Sequence, residues 1–539
     1  MRSSNQRWVG ITAVLILCAG CAPVEPEEPP PDIACPEPFE GIDRFTEVAS
    51  ERGLTLRTPP VPETHKTSGG SVVAQDLDGD GDIDIVLGRW NQLPDIYEND
   101  GNGHFQLLED PLQVTEDTSI EWHSHAAVDF DGDSLPELIG ISSSISYVWR
   151  NQSSGAGIEF SVHEALIAPQ PIGIALTASF GDVDQDNDID MIMAGTGHGV
   201  DPVAPYLLEG SPDLLFINED GLFGESREFI TGPLGSRTMV AHLTDRDGDS
   251  DLDLLVPGDH GPPVAFWRND GSANGAVEWN EDAADLGAAL TTVATMGIAS
   301  ADLNNDQRMD YCFSDVGPPT CLISLPEFES FYFEGGTALG LTVENWVDRF
   351  GTIGWSLDFN DLNNDGHLDL VQASAPDPTS FHEGILEYPN VMWLGQPDGT
   401  FKDISAEAGF DDTGRHLGLA TADFDGDGWL DIIISGPDEL PKLWMNRCGT
   451  GHWLGVDLIG QGNNAEGYGA RVEVEAGDKT WTRELTNLRG RGQRPSRLHF
   501  GLGEIDSVDS LKITWPNGET TLVQDVTIDR WITASQSGM

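Results

Sequence analysis

Lysine is nearly absent from this chain: Lys66, Lys402, Lys442, Lys479 and Lys512 are the only five in 539 residues. Counting arginine, 27 basic residues face 91 acidic ones, a formal charge of −64. Nucleic acid and anionic lipid surfaces are excluded as partners, because each needs a basic footprint. Cysteine is sparse too, with six residues; Cys18 and Cys21 fall in and just after the N-terminal apolar run, and the other four, Cys35, Cys312, Cys321 and Cys448, have no C-x-x-C spacing of the zinc type. Helical periodicity is scarce between 60 and 450. No G-x-S-x-G, H-E-x-x-H or P-loop signature occurs, so no nucleophile or phosphate site is legible. The apolar run "WVGITAVLILCAG" (8–20) is too short and one-sided for an ordinary membrane span.

What is present is a repeat. "DLDGDGDID" (76–84) returns as "DFDGDSLPE" (129–137), "DVDQDNDID" (182–190), "DRDGDSDLD" (245–253), "DLNNDQRMD" (302–310), "DLNNDGHLD" (361–369) and "DFDGDGWLD" (423–431). The starts lie 53, 53, 63, 57, 59 and 62 residues apart. The shared form is D-x-[DN]-x-D-x-x-x-[DE], usually followed by an apolar strand. A second strand then reads aromatic-x-Asn, as in "IYEND" (96–100), "VWRNQ" (148–152) and "LWMNR" (443–447). "FTEVASERGL" (45–54) reappears as "FKDISAEAGF" (401–410) at identical spacing. Each unit therefore reads as three or four short strands that cannot bury their faces alone. A closed ring can, and it leaves no sheet edge exposed. The expected fold is all-β, a seven-bladed β-propeller over 41–450 with calcium-binding loops, followed by a small β-sheet domain over 451–539. A linear solenoid fits less well, because the unit is too long for one coil.

The acids define candidate metal ligands. Positions 1, 3 and 5 are alternate residues, and a tight curl at position 6 turns their oxygens toward one point. The position 7 carbonyl and the position 9 carboxylate can complete a shell of hard oxygens suited to Ca²⁺. The ligand sets are Asp76, Asp78, Asp80 and Asp84; Asp129, Asp131, Asp133 and Glu137; Asp182, Asp184, Asp186 and Asp190; Asp245, Asp247, Asp249 and Asp253; Asp302, Asn304, Asp306 and Asp310; Asp361, Asn363, Asp365 and Asp369; and Asp423, Asp425, Asp427 and Asp431. The first and seventh are complete, with Gly81 and Gly428 at the turn. The second, fourth and fifth, with Ser134, Ser250 and Gln307 there, are expected to bind more weakly. The bland alternative is a set of solvated Asp-Gly turns.

With the aromatic-x-Asn strand attached, the motif resembles the FG-GAP/VCBS repeat family, whose calcium-loop propellers occur in integrins and exported bacterial proteins. After Asn446 the chain resembles the ASPIC/UnbV domain, through Gly469-Ala470-Arg471-Val472, "LHFGLG" (498–503) and "ITWPNG" (513–518). Such a domain follows propellers in the cartilage acidic protein family. "RGRGQRPSR" (489–497) departs from its relatives and concentrates Arg489, Arg491, Arg494 and Arg497. These either pair with the acidic propeller or form a ligand-binding site for an acidic glycan or carboxylate.

The N-terminus resembles a bacterial lipoprotein signal (1–20), with cleavage before a lipidated Cys21. A Pro- and Glu-rich tether (21–40) follows, extended by self-repulsion. Export would permit disulfides. Cys312 and Cys321 flank one turn, which would leave Cys35 to Cys448; four separate thiols are the alternative. His123 and His125 alternate on a strand, without a third metal ligand. The resulting expectation is a non-enzymatic surface or adhesion module with several Ca²⁺ ions, binding an extracellular protein or polysaccharide and meeting the membrane only through its lipid. A Ca²⁺-dependent polysaccharide lyase or glycosidase, or an assembly factor, are the alternatives.

Overall fold

The computed structural model describes residues 44–536, apart from several connecting segments of which 196–211 is the longest. The lipoprotein signal, Cys21, the tether and Cys35 lie outside the described residues. Every element among the described residues is a strand; there is no helix.

The chain between 44 and 445 forms seven antiparallel four-stranded sheets. In the first, Val72–Gln75, Asp84–Leu87, Asp95–Asn99 and Phe105–Leu107 pair in chain order. The next five repeat this plan, beginning with Trp122–Val128, Ala175–Gly181, His242–Thr244, Ile298–Ala301 and Thr352–Asn360. In the seventh, Gly418–Ala422, Asp431–Ser435 and Lys442–Met445 lack a following strand. Thr46–Glu47, from the beginning of the chain, takes the place, pairing Thr46 with Met445 and Glu47 with Trp444. The recurrence of "FTEVASERGL" at 401–410 is thus explained: Phe401–Asp403 is the outer strand of sheet six and Thr46–Glu47 that of sheet seven. Both are followed by the same tight turn, with Leu54 N bonded to Ala49 O and Phe410 N to Ser405 O, each at 2.8 Å.

The first strands stand side by side around a ring, each against that of the next sheet. Ser124 Oγ donates to Leu176 O (2.6 Å), Ser356 Oγ to Leu417 O (2.7 Å), and His242 Nε2 meets Ser300 Oγ (3.1 Å). Alternation along a strand lets one sheet serve two cores. Val72 and Ala74 pack with Ile433 and Leu443 of sheet seven, whereas Val73 packs with Trp122 and Leu138 of sheet two. Apolar slices between neighbouring sheets replace a single central core, and the result is a β-propeller.

Two further sheets make up the C-terminal domain. Arg471–Ala476 lies between Lys479–Glu484 and Val508–Thr514, with Thr520–Val526 at the edge. His452–Ile459 pairs antiparallel with Arg497–Gly503 and parallel with Trp531–Ser535. Leu454, Val472, Phe500, Leu511 and Trp515 fill its interior.

The chain after Leu485 leaves this domain, and residues 490–496 lie in the middle of the ring. Gly492–Gln493 adds a short parallel strand beside Val72–Val73. A Cβ on Gly492 would overlap the Leu419 carbonyl, so glycine is required. Gln493 imitates a strand neighbour, accepting from Ala127 N (2.9 Å) and donating to Ala127 O (2.5 Å). Arg491 is buried, donates to Gly69 O (2.8 Å) and His123 O (2.9 Å), and lies 5.4 Å from the centre of the Trp355 ring. Arg494 is 3.8 Å from Asp358, and Arg497 is 3.0 Å from Asp457 of its own domain. The described arginines of "RGRGQRPSR" therefore do not form an open anion site; two serve as internal rivets. Arg489 lies outside the described residues.

Removing a buried side chain that satisfies two carbonyls leaves both unpaired, at about 1–3 kcal/mol each. Arg491→Ala should accordingly lower the unfolding free energy by roughly 2–4 kcal/mol in urea titrations. An unchanged midpoint would show that the insertion contributes nothing to the ring.

Candidate metal centres

Each acidic turn joins the first and second strands of its sheet, so all seven lie at one end of the ring. They share one backbone. Position 4 is left-handed throughout (Gly79, Gly132, Gln185, Gly248, Asn305, Asn364 and Gly426), and so is position 6 (Gly81, Ser134, Asn187, Ser250, Gln307, Gly366 and Gly428). The non-glycine residues at position 6 thus adopt the conformation glycine would take, rather than opening the turn. Position 1 organises the curl. Asp76 accepts from Gly79 N (2.8 Å) and Gly81 N (2.9 Å), and Asp423 from Asp427 N (3.0 Å) and Gly428 N (2.9 Å). Position 9 begins the second strand in every sheet.

That ninth acid ties the turn to the sheet. Asp84 Oδ2 accepts from Leu77 N and Oδ1 from Asn99 N, each at 2.9 Å. Asn99 is the Asn of the aromatic-x-Asn strand, two residues after the buried Tyr97 and so on the same face. Its amide donates to Ile83 O (3.0 Å) in its own turn and to Phe424 O (2.9 Å) in the turn of the preceding sheet. Asn151 links Pro136 O and Leu77 O, Asn269 links Leu252 O and Val183 O, and Asn446 links Leu430 O (3.0 Å) and Leu362 O (2.7 Å). Asn218 reaches Phe130 O (2.8 Å). Sheets five and six carry Ser324 and Gly395 at this position. The sequence displays the Asn but not this stapling of neighbouring turns.

The carboxylates converge unevenly. Oxygens of positions 1, 3 and 9 lie within 4.8 Å of one another in Asp76/Asp78/Asp84, Asp129/Asp131/Glu137, Asp182/Asp184/Asp190 and Asp423/Asp425/Asp431. In the fourth turn the converging set is Asp245/Asp247/Asp249. Asp253 is turned instead toward Arg246, whose Nε lies 3.5 Å from Asp253 Oδ2. In the fifth and sixth turns Asn304 and Asn363 accept the N–H of Asp306 (3.0 Å) and Asp365 (3.1 Å), and their amide groups face the same acids. Position 5, at Asp80, Asp133, Asp186, Asp249, Asp306, Asp365 and Asp427, accepts the N–H of position 7 in each turn.

Burial and mutual repulsion leave these groups short of positive charge. Burial pushes Asp84 up to about 8 against the pull of the Asn99 and Leu77 N–H groups, and takes Asp190 and Glu137 to about 8 as well. Asp361, Asp369 and Asp431 rise for the same reason, reinforced by acids of their own turns. Asp425 Oδ1 is buried with no hydrogen-bond partner. A clustered set of carboxylate oxygens, one of them unpaired, fits a hard divalent cation.

The C-terminal domain sits on this acidic face. Trp481 Nε1 donates to Gly366 O (3.0 Å), His499 Nε2 to Gly428 O (3.1 Å), Asn464 N to Asn187 O (2.9 Å), and Arg471 to Gln307 O. All four acceptors are position 6 carbonyls. Glu466 accepts from Asp129 N (3.0 Å) and Gln75 Nε2 (2.5 Å), and Glu484 from Asp245 N (2.6 Å).

Elsewhere, Cys312 and Cys321 form a disulfide across paired strands. Cys448 is also disulfide-bonded. His123 and His125 are both buried; His125 Nδ1 meets Ser71 Oγ at 3.1 Å, and burial pushes its imidazole down to about 3.

These features define a repeat propeller whose hairpin turns are acidic and whose turn-bearing face is capped by a β domain. The chain carries FG-GAP-like repeats, matched over 76–140, 129–193 and 361–434, and an ASPIC and UnbV domain, matched over 460–538. It is 22% identical over 429 residues to cartilage acidic protein 1 of Xenopus tropicalis, covering 64% of this chain and 62% of that protein. It is 23% identical over 283 residues to the Homo sapiens protein, covering 50% of this chain and 39% of that one. Thus it spans less than two thirds of either relative. Among solved structures, an Agrocybe aegerita lectin that recognises non-reducing terminal N-acetylglucosamine superposes with a TM-score of 0.40, at 16% identity over 69% of this chain and 87% of the lectin.

Three outcomes are expected. Asn446→Ala, which orphans two buried carbonyls, should cost roughly 2–4 kcal/mol; an effect no larger than that of an exposed Asn517→Ala control would contradict the staple. Gln307→Gly, which relieves a left-handed non-glycine residue, should stabilise by about 1 kcal/mol, and a lower melting temperature would contradict it. Acids whose folded pKa is raised favour the folded state while protonated. Ionising them therefore destabilises the fold as pH climbs from about 4 toward about 8. In chelator the melting temperature should fall across that window, and excess Ca²⁺ should flatten the fall; a rise with pH in chelator would contradict the charge argument.

Proposed function

We propose that the protein is an exported, lipid-anchored propeller that Ca²⁺ ions make rigid, serving as a surface binding or adhesion module for an extracellular protein or polysaccharide. The observation that carries this reading is the convergence of the first, third and ninth carboxylates within single turns. Such oxygen-rich sets suit Ca²⁺, and their charge is a cost to the fold until a cation offsets it. The residues holding the ions are those of the acidic turns, with Asp76, Asp78 and Asp84 and Asp423, Asp425 and Asp431 the strongest sets. Export fits the lipoprotein-like leader and the Cys312–Cys321 disulfide.

What is already covered argues against the acidic face and the middle of the ring as the partner's seat. The acidic face carries the C-terminal domain, and residues 490–496 occupy the middle of the ring. Among the described residues the converging carboxylate sets are those of the turns, which favours binding over the enzyme alternative.

The test uses the full chain. Chelation should lower the melting temperature by about 10 °C or more, Ca²⁺ in excess should restore it by mass action, and a glycan and surface-protein screen should yield ligands retained only with Ca²⁺. Melting that ignores chelator, or binding that survives it undiminished, would contradict the proposal.

A further inference from the structure

The seven turns share a backbone, but they differ in where positive charge comes from. In the fourth turn position 2 is Arg246, where the other turns place Leu77, Phe130, Val183, Leu303, Leu362 and Phe424. An apolar side chain there packs inside the sheets. Arg246 is just as buried, at 4% exposure, yet its guanidinium turns back into the acids. It lies 3.5 Å from Asp247 at position 3, 3.5 Å from Asp253 at position 9 and 3.1 Å from Asp282, against the face of Phe266.

The second turn reaches the same result from another part of its sheet. Arg150 stands immediately before Asn151 on the third strand, where the first and seventh sheets carry Glu98 and Met445. Its guanidinium pairs with Asp131 at position 3 and lies 3.8 Å from Glu137 at position 9. Two arginines from unrelated positions thus contact the same two ligand positions. No ion pair of this kind reaches the acids of the first or seventh turn among the described residues; in the fifth, Arg308 pairs with Asp306 at position 5 (3.2 Å).

We infer that the second and fourth turns carry their own cation, a guanidinium bridging positions 3 and 9, and take no divalent ion. The inference refines the metal reading above and rests on it. A guanidinium stays charged at every physiological pH and donates in a fixed planar fork, so it can hold two carboxylates permanently. It adds one positive charge where Ca²⁺ would add two, and it already engages the carboxylates of positions 3 and 9 that the ion would need. The second and fourth turns therefore stay closed in chelator, while turns whose positions 3 and 9 no arginine bridges open. Metal dependence is confined to part of the ring.

Bound Ca²⁺ counted by equilibrium dialysis on the full chain tests this. The wild-type protein should bind no more than five equivalents. Arg246→Leu, which restores the residue found at position 2 of the first and sixth turns, should gain one equivalent, and so should Arg150→Met. Each variant should also melt below wild type in chelator and recover in Ca²⁺. Arg150→Met, at a partly exposed site, decides the matter if Arg246→Leu does not fold. A wild-type count of seven, or folded variants with the wild-type count, would overturn the arginine assignment and leave the metal reading standing. A count of zero in wild type and in both variants would overturn both.

Discussion

Everything in this fold depends on packing like charges into a turn of nine residues. Two carboxylates within about 5 Å repel by roughly 3 kcal/mol at an effective dielectric of 20, and each turn holds several such pairs. The protein answers at three levels. Backbone N–H groups of positions 4 to 7 point at the acids of positions 1 and 5. The ninth acid is bonded into the sheet, with its second oxygen on the Asn of the third strand. What remains is charge that hydrogen bonds cannot cancel, seen in the raised pKa values of Asp84, Asp190 and Asp431. A cation is the natural completion, whether a bound ion or, in two turns, an arginine.

The turns are also the joints of the assembly. Their position 2 carbonyls receive the Asn amide of the next sheet, and four of their position 6 carbonyls receive the C-terminal domain. A turn that lost its curl would move its own hairpin, the staple from its neighbour and the seat of the capping domain together. The insertion at 490–496 closes the arrangement from inside, spanning the first, second and seventh sheets through Val72, Ala127 and Leu419. The C-terminal domain is better regarded as part of the propeller's structure than as a tethered passenger.

The repeat, the all-β class and the candidate ligand positions were legible because each recurs in register, and recurrence separates a designed turn from a common Asp-Gly one. Other features were present in the letters but not decodable from them. The copy of "FTEVASERGL" marked an outer strand, yet only the pairing with Trp444 reveals that it completes the last sheet. "RGRGQRPSR" read as a charge cluster, whereas its glycines admit a backbone into the ring and Arg491 binds carbonyls rather than acids. Arg246 and Arg150 were visible at single positions. Their role depends on side chains crossing between strands, which spacing along a chain does not encode. The fourth turn departs from expectation for that reason: Asp253 is engaged by Arg246.

The central claim, that divalent ions complete the turns without a bridging arginine, is tested most directly by anomalous diffraction from crystals of the full chain grown with Tb³⁺ in place of Ca²⁺. The account predicts peaks enclosed by Asp76, Asp78 and Asp84 and by Asp423, Asp425 and Asp431. Clean density at both sites, with the carboxylates still gathered, would contradict it.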